Sequence, residues 1–140
     1  MTENRITVST VVRVDPQAAF RIFTEEIDIW WRRGPRYRFH DGALRFESER
    51  LMEADEQIGR VLAWEPGRRL LLESFTWTFR PGEHTEVEVR FDAIGDGTRV
   101  TVEHRGWEWR PTAAGEFRTV VGLWWGTALA AMRERATSSG

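Results

Sequence analysis

Phe117-Arg118-Thr119-Val120-Val121-Gly122-Leu123-Trp124-Trp125-Gly126-Thr127-Ala128-Leu129-Ala130-Ala131-Met132-Arg133-Glu134-Arg135 is the stretch on which the fold turns. At 3.6 residues per turn Phe117, Val121, Trp124, Trp125, Ala128, Ala131 and Met132 gather on one side. Arg118, Thr119, Gly122, Gly126 and Arg133 take the other. The spacing predicts a long amphipathic helix that begins after Pro111 and runs to about Arg135, with Val121 and Trp124 at the centre of its buried stripe. Thr137 to Gly140 read as a frayed tail.

Upstream the period is two. From about residue 43 to 106 the chain reads as strands separated by turn signals, an antiparallel meander. Ala43–Glu49 sets Leu44, Phe46 and Ser48 against Arg45, Glu47 and Glu49, and Arg50–Ala54 is a further short strand. Gly59–Trp64 closes on Glu65-Pro66-Gly67-Arg68, and Arg69–Phe79 closes on Arg80-Pro81-Gly82-Glu83. Thr85–Asp92 and Arg99–Arg105 follow, with Gly95-Asp96-Gly97-Thr98 as a tight hairpin between them. Residues 69 to 79 leave their parity open: Leu70, Leu72, Ser74 and Thr76, or Leu71, Phe75, Trp77 and Phe79, face inward, unless a bulge lets both contribute. At the other end, Ile6 to Val14 is rich in β-branched residues and reads as the first strand. Asp15-Pro16 then caps a short helix bearing Phe20, Phe23 and Ile27, continued by Trp30 and Trp31 until Gly34-Pro35 stops it.

A sheet with one wet face must bury the other, and the terminal helix is the element long enough to cover it. The expected fold is therefore α+β, a helix grip. A curved antiparallel sheet of about six to seven strands wraps a long C-terminal helix, a short helical region follows strand one, and the first strand pairs with the last. One domain spans 1–140, with its core from about 6 to 135.

Composition removes several chemistries. The 20 basic residues are all Arg, so Schiff-base catalysis has no lysine amine, and the absence of Cys removes disulfides and thiolates. His40, His84 and His104 lack metal-ligand spacing, and no dinucleotide fingerprint appears, so neither metal nor cofactor is expected. Arg32, Arg33, Arg36 and Arg38, with Tyr37 and Phe39 interleaved, have the composition of a nucleic-acid patch. The net charge of -2 and the nearby Glu47, Glu49, Glu53, Asp55 and Glu56 point instead to local charge pairing, and no nucleic acid is expected as a partner. No apolar run is long enough for a membrane span or a signal core, which predicts a cytoplasmic protein.

Several pieces in order resemble the START-related (SRPBCC, birch-pollen-allergen-like) superfamily, and within it the group named after the activator of the heat-shock-protein-90 ATPase. They are Asp15-Pro16 with Ala19-Phe20, Trp30-Trp31 with Gly34-Pro35, and Gly59-Arg60-Val61 leading to Glu65-Pro66 and Arg69-Leu70. Asp96-Gly97-Thr98-Arg99-Val100, His104-Arg105-Gly106-Trp107 and Gly122-Leu123-Trp124 before Leu129 complete the set. The resemblance implies an apolar cavity between sheet and helix. It also implies functions that range over lipid and hormone carriers, polyketide cyclases and a co-chaperone domain. The co-chaperone has an additional N-terminal domain that binds the chaperone, and this sequence starts at strand one.

The expected function is non-catalytic binding of a small apolar or amphipathic molecule in that cavity. Its walls are Phe20 and Phe23, then Leu44 and Phe46, then Leu72, Ser74, Val87, Val89, Val102 and His104, and finally Val121, Trp124, Ala128 and Met132. His104 is the ionisable residue on this inner set and is read as structural, placing the turn that follows it; its imidazole leaves acid–base use open. Glu108 and Arg110 flank Trp109 at the expected cavity mouth, either as a surface pair or as a clamp on a polar head. Two alternatives stay open: a polyketide-type cyclase or dehydratase, and a protein-interaction module with a chaperone partner. Trp64, Trp77 and Trp109 are candidates for an exposed patch or a homodimer contact.

Overall fold

The computed structural model describes residues 5–31, 42–74, 85–106 and 114–139, the last stretch with side chains from 121 to 137. Strand β1 is Arg5–Val12; helices α1 and α2 are Pro16–Thr24 and Ile27–Trp30. The meander follows as β2 Leu44–Glu47, β3 Arg50–Glu53, β4 Glu56–Glu65, β5 Arg69–Ser74, β6 Thr85–Ile94 and β7 Gly97–Arg105. Helix α3, Ala114–Ser139, ends the chain. The seven strands form one antiparallel sheet in the order β1-β7-β6-β5-β4-β3-β2, so the first strand pairs with the last and the fold is the helix grip.

Local chemistry explains the element ends. Asp15 caps α1, its Oδ1 accepting from Ala18 N at 2.8 Å, with Pro16 in the first turn. Glu65-Pro66-Gly67-Arg68 closes with Arg68 N donating to Glu65 O at 2.9 Å, and Gly67 takes φ +76°, as a type II turn requires. Gly95, at φ +54°, and Asp96 make the two-residue turn between β6 and β7.

The structure refines several boundaries. The helical region after strand one is two helices, because the chain breaks at Glu25–Glu26 and Trp30 Nε1 turns back to donate to Ile22 O at 2.8 Å. Ser48 and Glu49 leave the strand for a tight turn with φ +50° and +63°. Helix α3 runs through Thr137 to Ser139 rather than fraying. Val14 lies beyond β1, its carbonyl accepting from Thr98 Oγ1 at 2.8 Å. Gly34-Pro35, Phe75, Thr76, Trp77, Phe79, the turn at 80–83, and the side chain of Phe117 fall outside the described residues.

The inner face of the sheet is read row by row from the register. Val61, Leu72, Val87, His104 and Ile6 form one row, and Trp64, Leu70, Val89, Val102 and Val8 the next. Leu70, Leu72 and Ser74 thus face inward, while Leu71 lies in the outer row with Glu88 and Glu103. The irregularity lies on β4 between Val61 and Ala63, where Leu62 is squeezed out to solvent. On α3 the buried residues are Val121, Trp125, Ala128, Leu129, Met132 and Ala136. Trp125 takes the central place that the sequence pattern assigned to Trp124, which is half-buried, because the stripe leans toward β1. Helix α3 packs on β1, α1 and α2, and Arg135 Nε holds Glu26 at 2.7 Å.

The outer face carries charge in place of a second layer. Glu88 and Glu103 stand directly opposite each other on β6 and β7, and Arg105 reaches both, at 2.8 and 3.2 Å, as well as Glu86 at 3.1 Å. Arg69 pairs with Glu88, and Arg5 with Glu103 at 3.2 Å. Hydrogen bonds from Arg105 and then Arg69 hold the Glu88 carboxyl below its ordinary range.

Candidate functional site

Polar groups interrupt the inner face: Glu53, 1 % exposed, stands opposite Leu44, Thr98 is buried at one end of β7, and Thr85 and His104 lie where β6 and β7 meet Trp125 of α3. There Trp125 Nε1 donates to His104 Nδ1 at 3.0 Å, and His104 Nε2 lies 2.7 Å from Thr85 Oγ1. His104 is 1 % exposed and Thr85 0 %. Burial drives the imidazole pKa down to about 3, so the ring is neutral at physiological pH. Thr85 reaches His104 because it opens β6 two residues before Val87, on the same face. Trp125 reaches it because it stands one turn after Val121 on the buried stripe.

An aromatic cluster adjoins this polar end. Trp31 lies 4.9 Å from Trp124 and 5.5 Å from Trp125 between ring centroids, in edge-to-face geometry. Trp31, Phe46, Leu51, Val61 and Trp124 pack on the core yet stay half-buried. On the same side Val8 and Ser74 are also half-buried, and Trp64 is exposed. The other expected wall residues, Phe20, Phe23, Leu44, Leu72, Val87, Val89, Val102, Val121, Ala128 and Met132, all lie in the core and are buried. Reading the sequence missed Trp31, Leu51, Val61, Thr85 and Trp125 as site residues. The parity that selected Val87 and Val89 also selects Thr85, whereas Val61 depends on a bulge that leaves no mark in the sequence. Glu108, Arg110, Trp109, His40, His84 and Arg32 to Arg38 lie outside the described residues.

An open groove of about 710 Å³ lies between the edge of β1 and α3, lined by Ser9, Thr10, Gly126, Leu129, Ala130, Arg133, Glu134 and Thr137. It lies on the helix face opposite Trp124, and its polar side chains are exposed or half-buried. Desolvated polar groups, which fix a ligand's orientation, sit on the inner side instead. Among the described residues no His, Asp or Glu cluster could hold a metal ion, and no helix is long and apolar enough to cross a membrane.

The family model described as Activator of Hsp90 ATPase homolog 1-like protein matches residues 13–135. The chain belongs to that family. Membership supports a ligand-binding or Hsp90-ATPase-activator-like domain. No curated protein matches the chain. Among solved structures it is similar to CalC of Micromonospora echinospora, a self-sacrificing resistance protein, with 24% identity and a TM-score of 0.73 over 97% of this chain and 96% of that one. CalU16 of the same organism shares 22% identity, TM-score 0.64, over 92% of this chain and 71% of that one. A protein described as the Aha1 dimer, from Colwellia psychrerythraea, shares 14%, TM-score 0.61, over 96% and 95%. At these identities the likeness is one of fold.

Proposed function

We propose that this domain binds a small apolar or amphipathic molecule, without catalysis, between the inner face of its sheet and α3. One observation carries the reading: both nitrogens of the inner-face imidazole are committed to protein partners, and burial keeps the ring neutral. A general acid or base must reach the proton it transfers and titrate near the working pH, and His104 does neither. What the described interior offers a ligand is the half-buried set of rings and aliphatic groups around Trp31, Phe46, Leu51, Val61 and Trp124. That offer suits binding and argues against a cyclase or dehydratase that uses this histidine.

The test is a titration with N-phenyl-1-naphthylamine, an apolar dye that brightens on leaving water. Saturation near one equivalent per chain, with energy transfer from the Trp cluster while the protein stays folded, is the expected result. A dye signal that does not saturate, or that appears only as the protein unfolds, would sink the reading. The family description keeps a chaperone-directed role as the second reading. Exposed Leu123, Ile29 and Trp64 are among the described apolar side chains that would serve it. Homodimerisation is part of this proposal too, and sedimentation velocity across a concentration series decides it.

A further inference from the structure

We infer that β1 is a docking edge, and that its partner is an extended acidic peptide segment that adds an eighth strand to the sheet beside α3. The two ends of the sheet are built differently. At one end β2 is four residues long, carries Arg45 and Glu47, and has its Leu44 N–H taken by Asp28 Oδ1 at 2.9 Å. A short, charged edge resists further pairing. At the other end β1 is eight residues long, and Ile6 to Val12 include no charge, no proline and no glycine. Its register with β7 is unbroken from Arg5 to Val12, so no bulge turns the edge away. In an antiparallel strand the N–H and C=O groups of alternate residues point away from the neighbour. Among the described residues none bonds to those groups on β1. The complement of such a row is the backbone of another strand.

The open groove gives that strand room, since it separates Ser9 and Thr10 from the flank of α3. On the helix side it meets exposed Ala130 and Gly126, where a Cβ would touch nothing within 4 Å. An added strand would lay alternate side chains over that flank. Charge then selects among strands. Arg13 follows β1, Arg99 stands opposite Val11 on β7, and Arg133 lines the groove; all three are exposed. Among the described residues none forms an ion pair with these guanidinium groups, Asp92 opposite Arg99 and Glu134 beside Arg133 included. Farther across the outer face Arg60, Arg69, Arg90 and Arg105 each hold a glutamate. A strand that carries carboxylates supplies what the β1 end lacks. A second copy of this chain does not: two β1 strands paired antiparallel about Ser9 set Arg5 of each against Arg13 of the other, and like charges placed opposite repel.

Three end-blocked, fluorescein-labelled heptapeptides test this on the intact chain: alternating Glu and Val, alternating Arg and Val, and the acidic sequence N-methylated at two adjacent central residues, which blocks both edges of its strand. In fluorescence anisotropy at low salt the acidic peptide should bind near one equivalent per chain, about tenfold or more tighter than the other two. Ser9→Glu, a change on the exposed outer face of the edge, should weaken it by about tenfold, while Ser9→Gln keeps it. In the unsubstituted protein, adding the acidic peptide should slow hydrogen exchange at alternate β1 amides and leave β2 unchanged, which reads the docking even if a variant fails to fold. Equal binding of the acidic and N-methylated peptides, equal binding of the acidic and basic ones, protection that falls outside β1, or no binding by the parent overturns the inference. So does a β1 edge already protected by self-association in sedimentation velocity, which would assign the edge to a second copy.

Discussion

Trp124 and Trp125 are adjacent in sequence, and their rings lie 4.8 Å apart between centroids, yet they do different work. Trp125 is buried and closes a hydrogen bond that His104 cannot replace, whereas Trp124 is half-buried against Trp31. Replacing Trp125 by Phe keeps a ring but leaves His104 Nδ1 a buried acceptor without its donor, which should cost about 1–3 kcal/mol beyond the change in packing. Trp125→Ala should cost about 3–5 kcal/mol, as large buried rings do. Trp124→Phe should cost less than Trp125→Phe in urea denaturation. The reverse order would place the structural ring at Trp124, as the bare helical pattern suggests.

Helix α3 and the strands show which features of an element its sequence reports. A capping residue or a turn acts through neighbours in the chain, so Asp15-Pro16 and Glu65-Pro66-Gly67-Arg68 were legible. The strands from β2 to β7 were legible too, since alternation repeats over each one. Features set by the partner across the sheet were not. The bulge between Val61 and Ala63 and the lean of α3 toward β1 depend on contacts between residues far apart in sequence. For the same reason the residues expected to form a wall could be placed on the buried side of their elements, but the groups there that stay half-buried were not picked out. Glycines separate in the same way. A Cβ on Gly97 would meet Val12 O at 2.5 Å, so Gly97→Ala must push β1 off β7 and should destabilise by more than about 1 kcal/mol. A Cβ on Gly126 meets nothing within 4 Å, so Gly126→Ala should stabilise α3 by about 0.5–1 kcal/mol in thermal melts.

At the scale of the molecule, an Arg–Glu lattice covers the outer face of the sheet, while the inner face buries His104 without charge. Each outer pair is partly exposed and contributes little alone. The acid response of the whole fold is therefore expected to come first from His104. Its folded pKa of about 3 is depressed from the ordinary 6.5. Between these values the unfolded chain binds a proton that the native state refuses, so stability is full above pH 6.5 and falls as pH drops toward 3. From pH 6.5 to 4.5 the loss from this one group should be about 2–3 kcal/mol, at about 1.4 kcal/mol per pH unit. Glu88 works in the same direction at lower pH. Its pKa is depressed from 4.5, so the stability it gives is present above that value and is lost as pH falls below it. Urea denaturation at pH 7.5, 6.5, 5.5 and 4.5 should show this slope in the parent protein. His104→Asn should be less stable at pH 7.5, because it gives up packing and the Thr85 contact, yet nearly flat down to pH 5. If the parent and His104→Asn fall in parallel, the imidazole takes up its proton inside the fold. The interior then admits water at its polar end, and the argument that His104 is closed to acid–base chemistry fails with it.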